Sequence, residues 1–181
     1  MTLVLGTRTD NAVILSADSK VGDKTDRKLF SLDTVVFVSF GSGPPTFPRD
    51  IDIAIDRNEL AVYSDTKGVC DFLRDHFSAY SDAGVLVGGF DTIGSALLRQ
   101  YPINGPPEIL SADIIWGSPR GNYQPCDSEV ARDIIFQMLS LLKKAALDFP
   151  DAVGEPFKFL HIQRNDKTLH EWNGHWLTSS P

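Results

Sequence analysis

Short apolar runs separated by turn residues dominate the first forty positions of the chain. Two of these runs, at 3–6 and 12–17, are rich in Leu, Val and Ile and are separated by a Thr-Asp-Asn turn at 9–11. The alternation of apolar run and turn predicts a β-hairpin. A third run, at 34–40, is apolar nearly throughout, which is typical of a strand that is covered on both faces.

Apolar positions three and four residues apart predict two helices farther along the chain. The first covers roughly 64–80, and the second lies between 128 and 149. Polar residues and a proline are expected to mark their ends. These markers are Ser64 or Asp65 for the first helix, and Asp127, Ser128, Lys143, Lys144 and Pro150 for the second.

The remaining apolar segments predict strands that pair with their neighbours in the sequence. These segments are 84–90 with 96–103, 112–118, and 156–162 with 168–172. Residues 44–62 contain three prolines followed by alternating Ile and polar positions, and predict a short edge strand or an irregular segment. Because nearly continuous apolar strands need cover on both faces, we expect packed sheets with helices on the outside.

Composition and charge exclude several classes of function. The 181 residues fit one domain, 1–181, and no apolar run is long enough to cross a membrane. A net charge of −7 argues against nucleic acid or an anionic membrane as the main partner, since both require a basic face. The N-terminus does not resemble a secretory signal. With two distant cysteines only, the chain is expected to be cytoplasmic.

Thr2, Asp18 and Lys28 form the most informative set of polar residues. After removal of Met1, Thr2 would carry a hydroxyl and a free α-amine, and an amine with an ordinary pKa of about 7.7–8.0 can serve as the base that activates the hydroxyl. A lysine near the hydroxyl would polarise it, and Asp18 would keep Lys28 charged and in place. The Gly-Ser-Gly turn at 41–43 follows the third strand and offers backbone N–H groups, one of which could stabilise an oxyanion.

The stretch from Thr2 to Lys20 and the RKLFSLD segment at 27–33 resemble the β-type subunits of proteasomes and the related bacterial ring proteases. These proteins are N-terminal nucleophile hydrolases. The resemblance implies a proteasome-like fold of the α+β class, a four-layer αββα sandwich, and hydrolysis of peptide bonds without a metal or cofactor. It also implies a homo-oligomeric ring that acts on peptides or unfolded proteins, with a possible ATPase partner.

The same resemblance assigns roles to individual residues. Thr2 would be the nucleophile, Asp18 and Lys28 would complete the catalytic set, and Gly41 would be the oxyanion glycine. Ser118, in the Trp-Gly-Ser sequence at 116–118, and Asp151, in the turn after the long helix, would support the α-amine. Two further residues, Lys20 and Ser39, would border the pocket that receives the substrate side chain.

Two other functions remain open on the sequence alone. A catalytically inactive homologue that acts as a structural or binding subunit of an oligomer would keep nearly the same core, because the strands are needed for packing. An amidohydrolase of the same fold would act on a small amide instead of a peptide. Retention of Met1 would favour the inactive homologue, because a blocked amine cannot act as a base.

Overall fold

The computed structural model describes residues 3–21, 24–25, 27–32, 35–41, 47–60, 65–77, 83–102, 108–109 and 130–179. Within these ranges the chain forms twelve strands and three helices. The strands are β1 (Val4–Arg8), β2 (Ala12–Asp18), β3 (Lys20–Val21), β4 (Lys24–Thr25), β5 (Leu29–Ser31), β6 (Val36–Gly41), β7 (Ala83–Phe90), β8 (Ala96–Pro102), β9 (Glu108–Ile109), β10 (Phe157–Gln163), β11 (Asp166–Trp172) and β12 (Trp176–Ser179). The helices are α1 (Phe47–Asp56), α2 (Thr66–Phe77) and α3 (Ala131–Asp148).

Two five-stranded antiparallel sheets form the body of the structure. The first has the strand order β1-β2-β10-β11-β12, and the second has the order β5-β6-β7-β8-β9. In the first sheet Val4 lies opposite Ala17, and Asp18 lies opposite Phe157. A two-stranded ribbon, β3-β4, follows directly after the end of β2. The predicted hairpins at 3–17, 84–103 and 156–172 are therefore confirmed.

One apolar cluster joins the two sheets. Val13, Leu15 and Leu160 from the first sheet pack with Val38 and Leu98 from the second, and all five are buried. Alternate positions along a strand point to opposite faces of its sheet. The residues that alternate with this cluster therefore need a second layer of cover.

The three helices provide that cover. Leu5, Ile14 and Phe159 on the other face of the first sheet pack with residues of α3, including Met138 and Leu142. On the second sheet, residues of β5 to β7 pack with both α1 and α2; these residues are Phe30, Phe37, Val85 and Val87 from the strands, with Ile51, Ala54, Val69, Cys70 and Leu73 from the helices. The chain thus has a mixed α/β architecture with two antiparallel sheets and three helices in its described part.

The edge strand or irregular segment predicted within 44–62 is wrong, because α1 occupies this stretch. Ile51 and Ala54 are buried and Ile55 packs beside them, whereas Ile53 is 37% exposed. Isoleucines at every second position alternate like a strand, but they also place side chains four residues apart on one helical face. Tertiary packing selected the helical spacing.

Helices α2 and α3 confirm the predicted helices, and the cap of α2 is one of the two predicted residues. Asp65 caps α2, since its Oδ1 accepts the backbone N–H of Gly68 at 2.7 Å. The expectation that Lys143 and Lys144 lie in the last turn of α3 is wrong, because the helix continues to Asp148. Its N-cap is Val130, which makes no side-chain capping bond.

Some predicted elements lie outside the described residues, and several described strands had no sequence prediction. The strand predicted at 112–118 and the caps Asp127 and Ser128 lie outside the described residues. Strands β3, β4, β5, β9 and β12 were not predicted. In the part of the chain that the structure describes, no helix combines the length and apolar character needed to cross a membrane.

Candidate active site

A buried ion pair joins the ends of two elements. Asp18 is the last residue of β2, and Lys28 directly precedes β5. The Nζ atom of Lys28 lies 2.9 Å from Oδ2 of Asp18, and the two side chains are 2% and 0% exposed. At this distance the contact is both a salt bridge and a charge-assisted hydrogen bond. The pair therefore fixes an ammonium group at this end of the sheets.

Two backbone N–H groups complete the surroundings of the Asp18 carboxylate. Leu3 donates to Oδ1 at 2.9 Å, and Lys20 donates to Oδ2 at 3.1 Å. Burial raises the pKa of the Asp18 carboxyl above 3.8, while the Lys28 ammonium and these N–H groups oppose that rise. Leu3 directly follows Thr2 in the chain, so the carboxylate anchors the residue next to the predicted nucleophile.

Lys28 is anchored through its backbone as well as through its ammonium group. Its Nζ donates to the backbone carbonyl of Lys20, and its own carbonyl accepts the N–H of Ser39 at 3.0 Å. Ser39 lies on β6, two residues before Gly41, which ends that strand opposite Ala83. The start of β5 and the last residues of β6 are therefore held side by side.

The turn that contains Asp151 is attached to the end of β2. The Nζ of Lys20 donates to the carbonyl of Pro150, and the N–H of Ser19 donates to the carbonyl of Gly154 at 3.3 Å. A Cβ at Gly154 would lie 3.1 Å from Cδ of Lys20, so the two residues are in close contact. Asp151 itself is exposed. Lys20 thus links the β2–β3 junction to the turn after α3.

Some of the predicted site residues are in contact in the structure, and others lie outside the described residues. Asp18, Lys28 and Lys20 are in direct contact, and Ser39 is bonded to Lys28 through the backbone. The Ser39 side chain is 2% exposed, and its Oγ has no hydrogen-bond partner within the described ranges. Gly41 ends β6 and Asp151 lies in the turn after α3, whereas Thr2 and Ser118 lie outside the described residues.

Four of the backbone groups at this site were not predicted from the sequence. They are the N–H groups of Leu3 and Lys20 and the carbonyls of Lys20 and Pro150. Backbone groups leave no signal in residue type. The register of the first hairpin would nevertheless have shown one of them, because pairing Val4 with Ala17 places residue 3 beside Asp18.

Chemically, the described part of the site offers a fixed ammonium group and a carboxylate that holds it. A buried, hydrogen-bonded cation can stabilise negative charge that develops on a neighbouring oxygen, because the surroundings are less polar than water. Among the described residues, no three His, Cys, Asp or Glu side chains are grouped as they would be to hold a metal ion. The arrangement fits nucleophilic chemistry that a nearby hydroxyl would supply.

Comparison with known proteins gives a structural likeness only. No family model matches the chain, and no curated protein matches its sequence. Among solved structures, a mutant of Anbu from Hyphomicrobium sp. strain MC1 is similar, with a TM-score of 0.71 and 14% sequence identity. The alignment covers 91% of this chain and 82% of that chain. Anbu is a proteasome-like bacterial protein of the N-terminal nucleophile class, and at this identity the likeness concerns the fold.

Proposed function

We propose that the chain is a threonine-type N-terminal nucleophile peptidase, with Thr2 as the nucleophile after removal of Met1. The observation that carries the proposal is the Asp18 carboxylate, which binds both the Lys28 ammonium and the N–H of Leu3. Leu3 directly follows Thr2 in the sequence, and this link between the pair and the N-terminus supports the assignment of Thr2 as the nucleophile. The proteasome-like fold of Anbu supports the same reading.

In this mechanism the hydroxyl of Thr2 attacks the carbonyl carbon of a peptide bond, and its proton passes to the α-amine of the same residue. The positive charge of Lys28 disfavours protonation of that amine before attack and stabilises the oxygen as it becomes negative. The amine then returns the proton to the leaving nitrogen. An ester between Thr2 and the acyl part of the substrate remains, and water hydrolyses it by the same route.

The other site residues have supporting roles in the proposal. The N–H of Gly41 donates to the oxyanion, while Ser118 and Asp151 hold the α-amine. Lys20 and Ser39 border the pocket for the substrate side chain. The bond from Lys20 to the Pro150 carbonyl supports this arrangement, because it fastens the turn that carries Asp151 to the same end of the sheets.

We propose a single proteasome-like domain, 1–181, built as a four-layer αββα sandwich. The three apolar clusters support this, since one lies between the sheets and the other two lie between a sheet and its helices. The proteasome-like likeness is consistent with a homo-oligomeric ring. In the proposal, a cytoplasmic ring of this kind degrades peptides or unfolded proteins that an ATPase partner can deliver.

A peptidase assay on purified protein tests the function. Fluorogenic peptides with acidic, basic, aromatic and aliphatic residues before the cleaved bond are compared for the wild type and Thr2→Ala. We expect kcat/KM to fall by a factor of about 10³ or more in Thr2→Ala, because the nucleophile is lost. A matched control is Thr9→Ala, a threonine in the β1–β2 turn, which should leave the rate unchanged.

Two results would contradict the peptidase proposal. If the wild type hydrolyses none of the peptides while it forms a stable oligomer, a structural or binding subunit becomes the better account. If Thr2→Ala retains the wild-type rate, the activity belongs to another residue or to a contaminant.

A further inference from the structure

Helix α3 carries most of the large apolar side chains that are exposed among the described residues. Seven such side chains are exposed, and four of them, Val130, Phe136, Leu147 and Phe149, lie on this helix or directly beside its ends. Leu147 is 83% exposed and Val130 is 56% exposed. Exposed apolar side chains that gather on one element mark an interaction surface, whereas scattered ones do not. Helix α3 is therefore a candidate for contact with a partner.

The exposed positions of α3 follow a heptad spacing. Six exposed residues are separated by alternating steps of three and four along the chain, and we call them the outer stripe of α3: Val130, Asp133, Gln137, Ser140, Lys144 and Leu147. Such steps keep side chains on one face of a helix. The residues of α3 that pack on the first sheet, among them Met138 and Leu142, are buried on the opposite face. The outer stripe therefore points away from the body of the chain.

The outer stripe is complementary to its own reverse. When two copies of a helix pack antiparallel around a two-fold axis, residue i of one copy contacts residue j of the other, and j contacts i. An axis at the centre of the outer stripe places Val130 opposite Leu147. The same axis places Asp133 opposite Lys144 and sets the two central polar residues against each other. Apolar residues thus meet at both ends, and an acid meets a base inside each end.

The two charged residues of the outer stripe have no partner of opposite charge within the described chain. Asp133 and Lys144 are both exposed, and neither takes part in an ion pair among the described residues. They lie about three helical turns apart, roughly 16 Å, so they cannot pair with each other in one chain. In a two-fold pair each finds the other in the second copy, and two equivalent ion pairs form.

We propose that the outer stripe of α3 is the contact surface for a second copy of this chain, with the two α3 helices antiparallel across a two-fold axis. The occupant is identified by the order of residue types along the stripe, which is apolar, acid, polar, polar, base, apolar. A parallel copy would place acid against acid and base against base, whereas an antiparallel copy places opposite charges together. The proposal goes beyond the peptidase chemistry of Thr2 and does not depend on it.

The contact alone should be weak. Helix α3 has 18 residues, so the outer stripe is roughly 27 Å long, and with a helix diameter of about 10–12 Å its face measures roughly 300 Å². Each partner of a standard interface buries about 800 Å². We therefore expect a dissociation constant on the order of 10–100 µM for two chains that meet through this face, as in transient contacts.

Charge swaps test the proposal by sedimentation velocity at chain concentrations from about 2 to 500 µM, because mass action sets the paired fraction. Lys144→Glu would oppose two acids and Asp133→Lys two bases, twice in each interface, so each variant should weaken association roughly tenfold. The double variant restores opposite charges and should return to within about threefold of the wild type. If larger particles form through other surfaces, loss of a two-fold contact divides each particle into halves of equal mass.

Reversals are used because an exposed ion pair contributes little, so that neutralising one charge should change association by less than about threefold. Melting temperatures are compared first. If a charge variant is unstable, Leu147→Ser takes its place. Its expected loss of affinity is roughly threefold, because it removes an exposed apolar side chain from each end of the contact.

Arg57→Glu is the matched control. It makes the same change in charge as Lys144→Glu at a side chain that is 71% exposed and directly follows α1, the helix on the other sheet. We expect it to change association by less than about twofold. The single variants provide a second control, because Lys144→Glu makes the chain more negative and Asp133→Lys makes it less negative. An effect of net charge would have opposite signs in these two variants, whereas the proposal predicts a loss in both.

Four results would overturn the proposal. A wild type that remains a single chain at every concentration would exclude the contact. Unchanged association in both single variants would place the contact on another surface. A double variant that associates as weakly as the single variants would contradict the antiparallel register. A loss in Arg57→Glu equal to that in Lys144→Glu would show a general effect of charge.

Discussion

Replacing Lys28 with methionine tests how much the buried ion pair contributes to the fold. Lys28→Met keeps a long unbranched side chain but removes the ammonium group that lies 2.9 Å from Asp18. The carboxylate would keep its two N–H donors and lose the ammonium group that Lys28 places against it. Removing one member of a buried pair costs about 3–5 kcal/mol, which is a large part of the 5–15 kcal/mol that stabilises a typical domain.

The free energy of unfolding that Lys28→Met loses should depend on pH, and the direction follows from the pKa of Asp18. Burial already raises the pKa of Asp18 above its unfolded value of 3.8, and Lys28 opposes that rise, so the variant should have a still higher folded pKa. A carboxyl whose pKa is raised by folding stabilises the folded state when the pH is below its pKa in the unfolded chain. This contribution is lost as the pH rises through its pKa in the folded state. The difference between Lys28→Met and the wild type should therefore be small near pH 4 and large at neutral pH.

Urea unfolding followed by tryptophan fluorescence measures this difference at pH 4.5 and pH 7.5. In parallel thermal melts at neutral pH, Lys28→Met should melt roughly 6–20 °C below the wild type, because 1 kcal/mol shifts Tm by about 2–4 °C in a chain of this size. Lys144→Met, at an exposed position on α3, is the control, and its free energy of unfolding should stay within about 0.5 kcal/mol of the wild-type value. A loss of stability below about 1 kcal/mol at pH 7.5, or an equal loss at both pH values, would show that the Asp18–Lys28 pair does not stabilise the fold in this way.

Three further predictions concern packing, protonation and capping. Gly88→Ala should destabilise by about 1–3 kcal/mol in thermal melts, since its Cβ would lie 2.5 Å from Cγ1 of the stiff Val13; unchanged melting would contradict this. Burial, with the charge of His170, lowers the pKa of His161, so stability should fall as the pH drops through 6.5, and less steeply in His161→Phe. Identical profiles of stability against pH for His161→Phe and the wild type would contradict this role of His161. Asp65→Ala should cost about 1 kcal/mol through loss of the α2 cap, measurable by urea unfolding, and no loss would show that the cap is dispensable.

The elements that sequence predicted correctly are those in which one periodicity dominates. The first hairpin combines two apolar runs with a turn at 9–11, and pairing through Val4 and Ala17 follows from it. The segment at 51–56 failed because its isoleucines fit both a strand and a helix, and burial against the second sheet decided the outcome. Strand β12 is only four residues long and follows a turn through Gly174, which has φ +72°. So short a strand carries too few positions to show a period.

For the candidate site, residue types indicated the partners but not the contacts. A lone acid at the end of β2 and a lysine ten residues later suggested a pair, and the structure has them in contact. The carbonyls and N–H groups around them depend on where the chain turns, which residue type does not encode. The fold of this region therefore supplies the anchoring of Leu3, on which the proposal for Thr2 depends.

The intact mass of the purified protein, before and after treatment with a peptide epoxyketone, tests whether Thr2 is the nucleophile. This reagent reacts with a hydroxyl and an α-amine on the same N-terminal residue. The account predicts a chain that has lost Met1 and gains the mass of one inhibitor, with no gain in Thr2→Ala. A chain that retains Met1 and forms no adduct would contradict the nucleophile assignment and would favour a structural or binding role for the fold.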